Sequence, residues 1–182
     1  TTPRLRATAV DRGSARRLAS APVTSNKLDI VAIGDALVDV IATTDDDFIE
    51  EQGLPKGGMQ LLTTERADQL YAAMGPAREI SGGSAANSMA GVAALGLDAA
   101  FIGQTADDQL GAIFAHDMTS LGVRFETPPL NGGPPTGRCL IVVTPDAQRT
   151  MNTFPGASHE LTPKALNEQI IRSAAVTFLE GY

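Results

Sequence analysis

Apolar positions fall into short runs separated by polar, glycine-rich connectors. Leu28–Ile33, ending at Gly34, reads as a buried strand, and Val38–Thr43 as a second extended segment. The acids Asp45-Asp46-Asp47 complement the dipole at the start of a helix over Phe48–Gln52. A turn over Leu54-Pro55-Lys56-Gly57-Gly58 leads to a short strand, Met59–Thr63, and then to a helix from Thr64 closed by Gly75 and Pro76. Ile80-Ser81 is extended. The Gly82-Gly83 bend follows, and a small-residue helix runs to Gly96 with Ser84 as its N-cap. Asp98–Gly103 predicts a strand, Asp108–Leu121 a helix stopped by Gly122, and Val123–Thr127 another extended piece. Strand and helix thus alternate twice, the pattern of an α/β domain around a mostly parallel sheet.

That alternation breaks at the proline- and glycine-rich stretch 128–135. Thr136–Thr144 and Gln148–Phe154 flank Pro145-Asp146-Ala147 with no helix between them, which predicts a β-hairpin. Outside the alternation, the hairpin is expected to join the segments at 38–63 in a small sheet that covers the site. A helix over Pro163–Arg172 and a strand over Ala174–Leu179 restore the α/β pattern.

Composition narrows the function. Hydrophobic residues make up 43% and charged residues 19% of the 182, the balance of a globular chain able to bury a core. No apolar run is long enough to span a membrane. A single cysteine, Cys139, excludes an internal disulfide, and His116 and His159 stand at no metal-ligand spacing. No metal site is expected from Asp45-Asp46-Asp47 either. Residues 1–27 carry Arg4, Arg6, Arg12, Arg16, Arg17 and Lys27 against Asp11, so with a net charge of −7 overall the body is strongly acidic. Such a body is a poor partner for DNA or RNA, whose binding rests on neutralised phosphates. The basic leader reads equally as a disordered extension or a transit-peptide remnant. The expected location is cytoplasmic, or a mitochondrion or plastid if the leader is a targeting segment.

Candidate chemistry gathers around the glycine bend. Gly82 and Gly83 let the backbone approach a ligand, and the helix after them offers free amides to an oxygen-rich group. Asn87, one turn in, brings a donor and an acceptor on one short side chain. Asp35 and Asp39 follow the first strand, where ligands of open α/β sheets collect. The dinucleotide G-x-G-x-x-G, the Walker loop and the G-x-S-x-G elbow are all missing from the sequence.

In order and spacing, Gly34-Asp35-Ala36-Leu37-Val38-Asp39, Gly82-Gly83-Ser84-Ala85-Ala86-Asn87 with Gly96, Gly103, Asp107 and Gly111, and the strands from Thr136-Gly137 to Phe154 form a longer signature. From about Leu28 onward the sequence resembles the amino-terminal half of the PfkB carbohydrate kinases, which include ribokinase and adenosine kinase. Asp47-Phe48 through Leu54, Leu61 and Leu70-Tyr71 look closest to the adenosine kinase branch. The resemblance implies a ribokinase-like three-layer domain over 28–182 with a β-sheet lid, its strands within 38–63 and 136–154. It implies ATP- and Mg2+-dependent phosphorylation of a primary hydroxyl on a small-molecule sugar or nucleoside. Carried over, Asp39 holds sugar hydroxyls, the Gly82-Gly83 backbone and Asn87 complete the contacts, and Arg149 approaches the phosphates. Asp35 stands where adenosine kinases usually have asparagine. The family's second signature, with its Gly-Ala-Gly-Asp anion hole and catalytic aspartate, has no counterpart here. No catalytic base and little of the nucleotide site are therefore expected in this chain, which is expected to be inactive alone. Its remainder would lie on a missing carboxyl-terminal half. The alternative is a non-catalytic PfkB-like subunit serving as a binding or assembly module in a larger complex.

Overall fold

The computed structural model describes residues 27–180, so the expectations for the basic leader before Lys27 lie outside the described residues. The first strand, β1 (Leu28–Ile33), is followed after three residues by β2 (Leu37–Thr43), α1 (Asp46–Glu51), β3 (Met59–Leu61), α2 (Thr64–Ala73) and β4 (Arg78–Gly82). Then come α3 (Ser84–Ala94), β5 (Ala99–Ile102), α4 (Gln109–Ser120), β6 (Val123–Phe125), β7 (Gly137–Val143) and β8 (Arg149–Phe154). The last elements are α5 (Glu168–Ser173) and β9 (Ala174–Leu179).

Two sheets result. The first has order β6-β5-β1-β9, and every pair in it is parallel. Its faces alternate as the pleat requires. Ala32, Ala99, Phe101 and Val123 pack under Ala85, Met89, Phe114 and Met118 of α3 and α4. Val31, Ala100 and Ile102 face Ile170 of α5 on the other side. Helices on both faces make this the three-layer α/β arrangement that strand–helix alternation predicts. Phe101, Phe114 and Phe125 meet with ring centroids 5.2–6.1 Å apart and fill the larger core.

The second sheet, of order β3-β8-β7-β2-β4, is the lid. The hairpin β7–β8 is antiparallel, β2 joins β7 in parallel, and β3 joins β8 in parallel. Val38, Val40, Leu140 and Val142 line its inner face against Ile49, Leu54 and Leu70 from the region of α1 and α2. The same apolar cluster runs on into Phe101 and Phe114, so lid and parallel sheet share one core.

Local chemistry fixes the ends. Asp45 caps α1, its Oδ1 accepting from the Phe48 N–H at 3.0 Å, so the acidic triplet serves the helix. At the tip of the lid, Lys56 Nζ lies 2.6 Å from Asp46 and 2.8 Å from Asp146, and it holds the Asp146 carboxyl down at about 2. Asp108 caps α4 through the Gly111 N–H at 2.8 Å and also accepts from the Thr136 N–H and hydroxyl at 2.8 and 2.6 Å. One carboxylate thereby ties the main domain to the base of β7.

Two expectations need correction. The helix expected over Pro163–Arg172 is a 3-10 turn, Pro163–Ala165, followed by the separate α5. Leu166 is extended between them, and Asn167 restarts the helix by capping Gln169 and Ile170. Ile80–Gly82, expected as a lead-in to α3, belongs to a full lid strand: β4 pairs antiparallel with β2. Among the described residues no helix is long and apolar enough to cross a membrane.

Candidate functional site

The site lies where the two sheets meet. Asp35 sits in the three-residue connection between β1 and β2, and Asp39 is the third residue of β2. In the β2–β4 register Leu37 faces Gly82 and Asp39 faces Ile80, which brings the glycine bend beside the second carboxylate. A Cβ on Gly82 would stand 2.5 and 2.6 Å from the Asp39 carboxylate oxygens, a separation no real side chain tolerates. Gly83 has φ +90°, and a Cβ there would meet the Asp35 carbonyl oxygen at 2.5 Å. The two glycines are therefore fixed by the two aspartates, one by a side chain and the other by a backbone oxygen.

Gly83, not Ser84, is the N-cap of α3, and no side chain caps this helix. The first intrahelical bond runs from the Asn87 N–H to the Gly83 carbonyl at 2.9 Å. The amides of Ser84, Ala85 and Ala86 consequently have no acceptor within the helix. The Ser84 hydroxyl, freed from capping, donates to the Glu180 carboxylate. Asn87 stands exposed one turn into α3.

Burial raises the pKa of both aspartates. For Asp39, desolvation is the whole cause, and among the described residues no charged or hydrogen-bonding partner offsets it. For Asp35, burial dominates; nearby His159 and Ser158 pull the other way, and Glu180 adds to the rise. His159 Nε2 lies 4.0 Å from Asp35 Oδ2. An acceptor that is half dry and without a donor is the arrangement a polyol hydroxyl completes.

Apart from Thr153 and Arg78, the lid face around Asp39 is apolar. Across the sheet, the Asp39 row reads Leu61, Thr153, Cys139, Asp39, Ile80, and the next row reads Met59, Met151, Ile141, Ile41, Arg78. Burial and the neighbouring Asp39 charge both push the Cys139 thiol up, against the hydrogen bond from Thr153. Leu61 and Met59 are 69% and 55% exposed at the open edge of this face. Arg149 is not brought to Asp39. It is exposed opposite Val143, four strand positions or about 13 Å along the lid from the Cys139 row.

Nothing in the local sequence marks Ser158, His159 or Glu180 as site residues. Glu180 follows a strand that ends beside the first, and the carboxyl ends of adjacent parallel strands were the available signal. Two hollows lie elsewhere. One of about 570 Å³ is bounded by Gln104, Pro128 and Asn167, and one of about 620 Å³ by Glu79, Gln109 and His116; neither includes Asp39 or the glycine pair.

A parallel sheet, a β-lid and an aspartate–glycine site between them make up the framework of the described chain. The profile of the pfkB family carbohydrate kinase matches residues 27–182, and the chain belongs to that family. An adenosine kinase structure from Sinorhizobium meliloti superposes with a TM-score of 0.78 and 51% identity, covering 85% of this chain and 47% of that one. Guanosine-inosine kinase of Escherichia coli (strain K12) is 26% identical over 160 residues, 84% of this chain and 37% of its own length. ATP-dependent ribose-1-phosphate kinase of Halopiger xanaduensis is 32% identical over 126 residues, 66% of this chain and 43% of its own length. The chain thus spans less than half the length of each of these relatives.

Proposed function

We propose that this chain is the acceptor-binding half of an ATP-dependent nucleoside kinase of the adenosine kinase type, inactive alone. The observation that carries the reading is the Asp39 carboxylate, half buried, without a donor, and set against Gly82 at the free amino end of α3. In this reading Asp39 accepts from a ribose hydroxyl, the amides after Gly83 supply donors, and Asn87 takes a second hydroxyl from the helix side. The apolar rows beside Asp39 favour a nucleoside over a bare sugar, because a flat base has apolar area to bury there.

ATP and Mg2+ would supply the phosphoryl group and its charge neutralisation. Among the described residues no three acidic, histidine or cysteine side chains gather in a way that would hold an ion. In this proposal the catalytic base and most of the nucleotide site belong to a carboxyl-terminal half, which would also seat on β9. Val176, Phe178 and Leu179 of that edge strand are 53%, 40% and 67% exposed, although parallel sheets are normally covered on both faces.

The test is twofold. Calorimetry of the chain with adenosine and with ribose should show binding that Asp39→Ala removes. The native polypeptide that carries the chain should consume ATP with adenosine, and the same substitution should abolish this. Adenosine binding that survives Asp39→Ala would overturn the assignment.

A further inference from the structure

The helix α4 is bonded to the lid near both of its ends. At its start, Asp108 accepts from the Thr136 N–H and hydroxyl at the base of β7. In its last turn, about 13 Å further along the axis, Asp117 Oδ2 accepts from the Ser81 N–H of β4 at 2.9 Å. β4 and β7 are the two neighbours of β2, the strand that carries Asp39. β4 is also an edge of its sheet, so amides on its outer side have no strand to bond. Asp117 takes one of them, and it belongs to the residue just before Gly82. The other oxygen, Oδ1, lies 3.4 Å from His116 Nδ1, on an imidazole that stands in solvent. The hollow of about 620 Å³ beside Gln109 is bounded by Glu79, Ile113, His116 and Asp117 itself, so water reaches this end of the bond.

We propose that Asp117 is a positioning residue: by holding the Ser81 N–H it sets where the Gly82-Gly83 bend stands relative to Asp39. The inference rests on the kinase reading above and goes beyond it, because Asp117 acts from α4, across β4 from the strand that carries Asp39. The bend has no slack toward Asp39, whose carboxylate fills the space a Cβ on Gly82 would need. An acceptor that bonds Asp39 and the amides after Gly83 together therefore depends on the distance between the two strands. The hollow explains why this bond directs the strand more than it stabilises the fold. With the carboxylate gone, water satisfies the exposed end of the Ser81 N–H at little cost. What water does not supply is direction. A carboxylate on a packed helix holds the strand at one place, and a mobile water does not.

The native polypeptide, assayed with adenosine and ATP, gives the test. Asp117→Ala should raise KM for adenosine about tenfold and leave KM for ATP unchanged. Its melting temperature should fall by no more than about 3 °C. Asp117→Asn keeps an oxygen acceptor without the charge, and should bring KM for adenosine back to within about twofold of the unaltered protein. His116→Ala removes the other neighbour of Asp117 but leaves the Ser81 bond, and should change neither KM. Hydrogen exchange reads the bond directly: the Ser81 amide should exchange slowly in the unaltered protein and in Asp117→Asn, and fast in Asp117→Ala. An unchanged KM for adenosine in Asp117→Ala would overturn the proposal, as would equal rises in both KM values. Asp117→Asn behaving like Asp117→Ala would overturn it too, since charge and not the bond would then matter. Loss of folding in Asp117→Ala would mark the bond as structural and end the proposal. An unaltered polypeptide that phosphorylates neither adenosine nor ribose would remove the kinase reading and this inference together. Turnover of adenosine with a KM that Asp117→Ala does not move would remove this inference alone.

Discussion

The Asp39 carboxylate occupies the space that a side chain on Gly82 would need, its oxygens 2.5 and 2.6 Å from that Cβ position. Two residues 43 positions apart are therefore one structural unit, and neither can change without moving the other. Gly82→Ala should displace the carboxylate by about 1 Å and reduce kcat/KM for the acceptor about a hundredfold in the native polypeptide. Steady-state kinetics beside a melting curve would check this; unchanged kcat/KM in a folded variant would refute it.

Burial gives a definite pH dependence. Asp39 has a raised pKa in the folded protein, so between its unfolded and folded values the native state binds the extra proton. Stability from this group therefore falls as pH rises through that window, and the charged form is a liability at neutral pH. Asp39→Asn should raise the melting temperature at pH 7, with a gain that shrinks as pH approaches 4. Acceptor binding should run the other way and weaken as the carboxylate protonates. Thermal scans and calorimetry across pH 4–8 would test both arms.

Asp108 joins α4 to the base of the lid through three bonds, to the Gly111 N–H and to the Thr136 N–H and hydroxyl, with Thr136 fully buried. Counted by donors, these are three groups left without a partner when the carboxylate is removed. Asp108→Ala should destabilise the chain by about 2–4 kcal/mol, the sum of a lost cap and a buried amide without an acceptor. Urea denaturation would measure it, and Asp108→Asn should recover part of the loss.

The apolar rows separate nucleoside from sugar. Leu61→Ala or Met151→Ala should raise KM for adenosine about fivefold to tenfold relative to KM for ribose, the expected loss of apolar contact with a base. An equal effect on both substrates would argue that these side chains serve only the lid.

Much of this arrangement was legible in the sequence. Leu28–Ile33 and Asp98–Gly103 announce buried parallel strands, and the missing helix between Thr144 and Gln148 announces the hairpin. Asp35, Asp39, Gly82 and Gly83 were legible as a group because their spacing follows a family signature. Other features depend on contacts between distant segments. That β4 is a lid strand follows from its pairing with β2, and no local pattern in Arg78–Gly82 reveals it. Ser84 has the composition of a cap, but Gly83 adopts a left-handed conformation against Asp35 and takes that position. Glu180 lies 96 residues from the serine it accepts from, a distance at which propensity carries no information.

The apolar cluster that begins at Val38 and Val40 and ends at Phe101 and Phe114 leaves no seam between cover and base. A calorimeter should accordingly record one cooperative endotherm for residues 27–180, and hydrogen exchange in β2 and β5 should be lost together. Whatever swings over a bound acceptor must then be smaller than the whole cover: the outer edge of Met59–Leu61 can give way while Leu37–Val40 stays anchored.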